Sequence, residues 1–171
     1  MSDLDVSLPF TLTFNNILSQ VEIVDHEKKE EIIFKVKDIT QFEKNKRVII
    51  EKKTNGLEDE IRLVTYKGEN IILGLKYEIN GNKSRILPLG KEQPRLFRDF
   101  PLIGSHGFDF PCVLNSKKFF PTEERDGLFL KDVENQKVLT NRKETVTLGG
   151  QVFEKKVGRV TGSYNWHHLL F

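Results

Sequence analysis

The sequence predicts an α+β, strand-rich fold: a mostly antiparallel meander followed by a C-terminal helix. Three observations predict it. Apolar and polar residues alternate over short runs through the first half of the chain, the period of a strand with one buried face. Those runs are separated by turn signals such as Asn55-Gly56 and Asn80-Gly81-Asn82. The chain contains no alanine; alanine is the strongest helix former, and β-branched and aromatic residues take its place.

Taken in order, Leu8–Phe14 (LPFTLTF) alternates and reads as a strand, with Pro9 near its start because proline cannot donate to a ladder. Asn15-Asn16 turns it into a second strand, Gln20–Asp25, so the N-terminus is expected to be a hairpin. Ile32–Ile39 follows, with Ile32, Phe34 and Val36 on one face and Lys35 and Lys37 on the other. Arg47–Lys53 and Glu60–Tyr66 pair across Asn55-Gly56. Asn70–Ile79 is a longer strand in which Gly74 marks an expected bulge. Ser84–Leu89 returns as a short strand. The result is a meander of about seven strands over residues 1–90, with connections of ordinary length.

Residues 91–171 form the second part of what reads as one domain. Its first half, Pro94–Leu130, holds four of the six prolines and seven of the thirteen phenylalanines, interleaved with Arg95, Arg98, Lys117, Lys118 and Arg125. Arg95–Pro101 is expected to be extended, because Pro94 and Pro101 disfavour helix on their N-terminal sides. Ile103–Asp109 reads as a loop, Phe110–Asn115 as a strand and Ser116–Gly127 as a turn-rich connection. Val146, Phe153, Val157 and Val160 recur at helical spacing, which predicts a helix over Arg142–Thr161 against the opposition of Gly149-Gly150.

Composition bounds the function. Twenty-seven basic against 25 acidic residues leave a net charge of +2, too balanced to argue for nucleic acid through electrostatics alone. No apolar run reaches membrane-spanning length and no signal peptide is evident. A lone Cys112 excludes an internal disulfide framework and, with scattered histidines, a cysteine-based zinc site. These features favour a cytoplasmic compartment and no membrane partner.

No phosphate-cradling glycine loop is present; Gly104-Ser105-His106-Gly107 is too short and has no lysine. Ser105 and His106 are sequence neighbours without a third orienting group, and read as loop residues rather than a nucleophile and its base. Asp99 with Asp109, and Glu123, Glu124 and Asp126, read as solvated surface rather than acid–base pairs. His167-His168 point apart and have no third ligand. Cys112 in an apolar strand is expected to be buried and inert.

Basic groups among aromatics can bind single-stranded nucleic acid or a peptide, with Arg95, Arg98 and Lys117 as the binding candidates. Arg125 is the most informative single residue. A guanidinium on a turn can be offered to a phosphate supplied from outside; the plainer alternative is an arginine held by Glu123, Glu124 or Asp126.

Within the central stretch, Arg95-Leu96-Phe97, Asp99-Phe100-Pro101-Leu102-Ile103-Gly104, Phe110-Pro111 with Val113 and Asn115, Phe120-Pro121-Thr122-Glu123 and Arg125-Asp126-Gly127 resemble a segment of bacterial sacsin-like ATP-binding proteins. These belong to the superfamily shared by the ninety-kilodalton heat-shock chaperones, mismatch-repair ATPases and gyrase B. Leu8–Phe14 resembles the segment after the nucleotide lid in those proteins, and Asn141-Arg142-Lys143 and Asn165-Trp166 resemble parts of a following helix. The superfamily's Glu-x-x-x-Asn helix, Asp-x-Gly-x-Gly turn and glycine-rich lid are absent. The resemblance therefore implies the region after the ATPase domain: a non-catalytic, transducer-like segment. It would couple the nucleotide state of a preceding ATP-binding domain, in the same or another chain, to a client protein. ATP and Mg2+ are implied for the full-length family, and no cofactor for this chain. Arg125 is the residue that, by its place in the motif, would reach a terminal phosphate held by the neighbouring domain and stabilise phosphoryl transfer there. The alternative is a stand-alone β-rich module that binds nucleic acid or peptide through a basic-aromatic face.

Overall fold

A computed structural model describes residues 2–108, 110–121 and 124–125, and the backbone of four short strand segments beyond them. The first element corrects the sequence reading. Ser2–Phe14 is an α-helix, α1, and not the first strand of a hairpin. Its apolar residues have period 2, but a period of 2 also contains the i, i+4 spacing of a helix. Leu8 and Leu12 stack along one side, Phe10 and Phe14 along another, and all four are buried. Ser7, Thr11 and Thr13 are buried too. Their hydroxyls are satisfied within the helix: Thr11 Oγ1 donates to the Ser7 carbonyl at 3.1 Å and Thr13 Oγ1 to the Pro9 carbonyl at 2.8 Å. Every residue from Ser7 to Phe14 is buried, so this part of α1 has no polar face for a helical period to reveal. Lys46 Nζ donates to the Thr13 carbonyl at 2.7 Å, placing a cation where the last turn leaves unpaired carbonyls.

A curled sheet supplies that enclosure. Its strands are β1 (Gln20–Asp25), β2 (Glu30–Phe42), β3 (Asn45–Thr54), β4 (Leu57–Lys67), β5 (Ile72–Asn80), β6 (Lys83–Leu87), β7 (Leu96–Arg98), β8 (Phe100–Pro101) and β9 (Val113–Asn115). The order is β1-β2-β3-β4-β5-β9-β7-β8, with β6 also on β5. The antiparallel meander expected over β1–β6 is observed. Asn55 (φ 49) and Gly56 (φ 86) turn the β3–β4 hairpin with both residues left-handed, as a tight two-residue turn requires. β9 hydrogen-bonds β5 antiparallel, and β7 lies parallel to β9. The phenylalanine-rich stretch is thus woven into the same sheet as the meander.

Each face of the sheet has its own core. Phe34, Val48, Ile50, Leu63, Phe97 and Val113 pack on α1. Leu96, Leu102, Cys112, Leu114 and Phe119 form a second cluster, with Leu73, Leu75, Phe108 and Phe110 against it. Strand alternation sends Phe97 and Val113 inward and Leu96 and Leu114 outward, so this end of the sheet is buried on both sides.

Gly74 is not a bulge: its pairing with Thr65 is in register, and the irregularity lies between Val36 and Asp38. A Cβ at Gly74 would stand 2.9 Å from Phe14 and 3.0 Å from Phe10. The glycine marks where a helix presses on a strand.

The predicted C-terminal helix, Arg142–Thr161, lies largely outside the described residues. The parts described, Val146–Leu148 (β12) and Gln151–Phe153 (β13), are antiparallel strands paired with each other. Gly149-Gly150, the two glycines that opposed a helix, separate these segments in the sequence and lie outside the described residues. Leu128–Phe129 (β10) pairs with Val138–Leu139 (β11). Asn141-Arg142-Lys143, Asn165-Trp166 and His167-His168 lie outside the described residues.

Candidate functional site

β7 and β8 form a hairpin in which Arg98 pairs with Phe100 and a single residue, Asp99, makes the turn. Asp99 is left-handed (φ 62), a conformation Asp tolerates better than most side chains. Its backbone N–H donates to Asn115 Oδ1 at 2.9 Å, tying the turn to β9. The Ser116 N–H donates to the Phe97 carbonyl at 3.1 Å, so the turn carrying Lys117 begins beside β7.

Arg125 closes the hairpin from outside. Nη2 donates to the Phe100 carbonyl at 3.0 Å and the Arg98 carbonyl at 3.4 Å, and Nε to the Pro101 carbonyl at 3.3 Å. Its own carbonyl accepts from the Ile103 N–H at 2.7 Å, and its backbone is left-handed (φ 58). Such a conformation in a residue with a long side chain persists only where surrounding bonds hold it. Partial burial, and after it the Arg98 charge, lower the guanidinium pKa below its ordinary value, while Asp99 opposes both.

Arg98 is the second cation of the corner. Its guanidinium carbon lies 5.4 Å above the Phe120 ring. Phe100 and Ile103 flank the pair and are exposed, at 45% and 63%. Lys117 is exposed in the adjoining turn. Among the described residues, Arg98, Lys117, Lys118 and Arg125 outnumber Asp99 and Glu124 at this corner.

Arg95, singled out with these, is placed elsewhere. It is buried, and Nη2 donates to the Gly90 carbonyl at 3.2 Å. Its charge acts on Cys112: burial pushes that thiol up to about 11, and Arg95 pulls the other way. Cys112 is buried as expected. Ser105 is structural. Its hydroxyl donates to the Leu102 carbonyl at 2.6 Å and accepts the Arg95 and Leu96 N–H groups, each at 3.2 Å. Asp109, Glu123 and Asp126 lie outside the described residues. Among the described residues no group of three or more His, Cys, Asp or Glu side chains is placed to hold a metal ion, and no helix is long and apolar enough to cross a membrane.

Sequence reasoning missed Asp99 as a turn, Asn115 as its anchor and the exposed Phe100 and Ile103. The sequence carries a signal for the first two, since Asp and Asn are the residues that bond locally in turns. It carries none for the exposure of two apolar residues inside an apolar run.

Arg125→Ala should cost about 1–3 kcal/mol of stability, since one charged group serves three carbonyls and its loss unties the hairpin. Urea denaturation measures it. A loss below about 0.5 kcal/mol would show that the hairpin holds its shape without the guanidinium.

No protein-family model, curated protein or solved structure matches the chain.

Proposed function

We propose that this chain is a non-catalytic, transducer-like segment of a chaperone-like ATPase. It offers the Arg98–Arg125 corner to an oxyanion on a preceding ATP-binding domain, in the same chain or another, and passes the nucleotide state to a client. The observation that carries this reading is the fixation of Arg125 by three backbone carbonyls beside a second guanidinium. A guanidinium has five N–H donors. Among the described residues its hydrogen bonds run through Nε and Nη2, which leaves Nη1 for a group from outside. A cation fixed before its partner arrives loses little freedom on binding, and that is how a positioned charge stabilises a developing anion.

The donor set suits an oxyanion and not a metal. Among the described residues its cations, Arg98, Lys117, Lys118 and Arg125, outnumber its carboxylates, Asp99 and Glu124, so Mg2+ and the nucleotide would be held by the neighbour. The chain's own part is to present, orient and neutralise.

The test separates the clamp from the contact. Among the described residues Arg98 makes no side-chain hydrogen bond to the hairpin and stacks on Phe120, so Arg98→Gln should leave stability within about 0.5 kcal/mol. With the cognate ATP-binding domain added, the wild-type chain should raise ATP turnover, and Arg98→Gln should remove roughly nine-tenths of that gain, the loss of one charged hydrogen bond. An undiminished gain in Arg98→Gln and Arg125→Lys would rule out the corner as the contact.

The stack of Arg98 on Phe120, with Phe100 exposed alongside, favours a second reading: a β-rich module that takes nucleic acid or peptide on this basic-aromatic face. Tight binding of single-stranded nucleic acid by the isolated chain, falling steeply with salt, would select it.

A further inference from the structure

β2 is covered along only part of its outer edge. β1 pairs with residues 30–35 of β2, and the Ser19 carbonyl accepts the Val36 N–H at 2.9 Å. β2 then bulges between Val36 and Asp38 and runs on to Phe42. Among the described residues, residues 38–42 pair only with β3, so their other edge presents unpaired backbone groups. All five are exposed, including Ile39 at 55% and Phe42 at 51%.

The two faces of this run follow from its pairing with β3. Ile39 stands opposite Val48, which packs on α1, so Ile39 and Gln41 lie on the α1 face. Asp38, Thr40 and Phe42 lie on the other face. There Arg47, opposite Thr40, holds its guanidinium over the Phe42 ring, 5.4 Å from the centroid. Asp38 accepts the Thr40 hydroxyl at 3.1 Å. Asp38 and Arg47 are diagonal neighbours across β2 and β3. Even so, among the described residues neither forms an ion pair. The free edge therefore offers a carboxylate at one end and a guanidinium at the other.

We propose that this edge pairs with the same edge of a second copy of the chain, continuing the sheet across a twofold axis. Two antiparallel copies of one strand share a sheet face only when the axis runs normal to the sheet, through one residue paired with itself. Thr40 is the middle of the free run, and an axis there pairs all five residues of each copy. Asp38 then stands opposite Phe42 of the second copy, where the second copy's Arg47 lies over the ring. The reciprocal contact forms at the other end. Opposite charges so placed attract at both ends of the interface and fix its register. That self-complementarity favours a second copy over an unrelated strand. Ile39 and its mate become diagonal neighbours on the α1 face. An interface this short makes a weak, reversible dimer.

Thr40→Cys tests the axis. Directly opposite residues of an antiparallel pair have Cα atoms about 4.5–5.5 Å apart, within disulfide reach. Cys112 is buried, so the new thiol is the reactive one. Under oxidised glutathione the Thr40→Cys chain should form a covalent dimer about tenfold faster, or more, than a Glu27→Cys chain, because its thiols are held together rather than meeting by diffusion. Glu27 is exposed in the β1–β2 turn, away from the proposed axis. Added to Thr40→Cys, Asp38→Arg or Arg47→Asp alone should slow crosslinking about fivefold or more, and the two together should restore the rate. All these positions are exposed, so circular dichroism should show the fold unchanged. Equal rates for Thr40→Cys and Glu27→Cys would overturn the proposal. So would a double charge reversal that stays as slow as the single ones.

Discussion

Phe10→Ala should remove about 3–5 kcal/mol from the unfolding free energy, the range for emptying a fully buried phenylalanine site. Phe10 has no solvent exposure. Its ring centroid lies 6.0 Å from that of Phe14 and 6.2 Å from that of Phe97. Those three rings join α1 to β7, so the cavity would open between the buried helix and the strand that leads into the Arg98–Asp99 turn. The lining groups are rings and a helix backbone, which close poorly on a void. Urea denaturation checks the prediction: the midpoint should fall with an unchanged slope if the fold survives. Phe10→Leu, which keeps most of the volume, should recover more than half of the loss. If Phe10→Ala cost less than about 1 kcal/mol, α1 would not occupy the interior of the sheet.

Gly74→Val is the complementary change, adding volume where Phe10→Ala removes it. A Cβ would meet the Phe14 ring at 2.9 Å and the Phe10 ring at 3.0 and 3.1 Å. Both rings are buried and packed against Phe97, so neither can swing aside without moving α1. Gly74→Ala should cost about 1–3 kcal/mol and Gly74→Val more than the upper end of that range. Strand propensity alone predicts the opposite order, because valine is a strong β former and glycine a poor one. Thermal denaturation of the two variants decides between local propensity and packing.

These two positions also show where local reasoning reached its limit. The strands of the meander were legible because each keeps one face on α1 or the outer cluster and the other toward solvent, so the period survives in the sequence. The Asn55-Gly56 turn was legible because left-handed backbone restricts residue choice. Leu8–Phe14 was misread because a helix buried on every side has no polar face. Its threonines are buried and bond backward to Ser7 and Pro9, while in the sequence they look like the solvent side of a strand. Gly74 was flagged as special, but a bulge and a close approach leave the same mark.

The candidate site was legible in part. Arg98, Lys117 and Arg125 were picked out by their place among aromatics, and the structure brings Arg98 and Arg125 to one hairpin. Arg95 belongs to the same run, yet strand direction and the Gly90 carbonyl hold it in the interior.

What the sequence determined by itself was the strand-rich class, the order of the meander, the turn positions and the stretch that carries the charged corner. All of these follow from local steric and periodic preferences. Only the tertiary structure decided that the N-terminus is a helix inside the sheet. It alone decided that β7 runs parallel to β9, that Arg125 clamps a hairpin 25 residues earlier, and that the Lys76 ammonium lies over the Phe10 ring. Each of those outcomes depends on which distant surface covers a residue, and burial by a distant segment leaves no local trace.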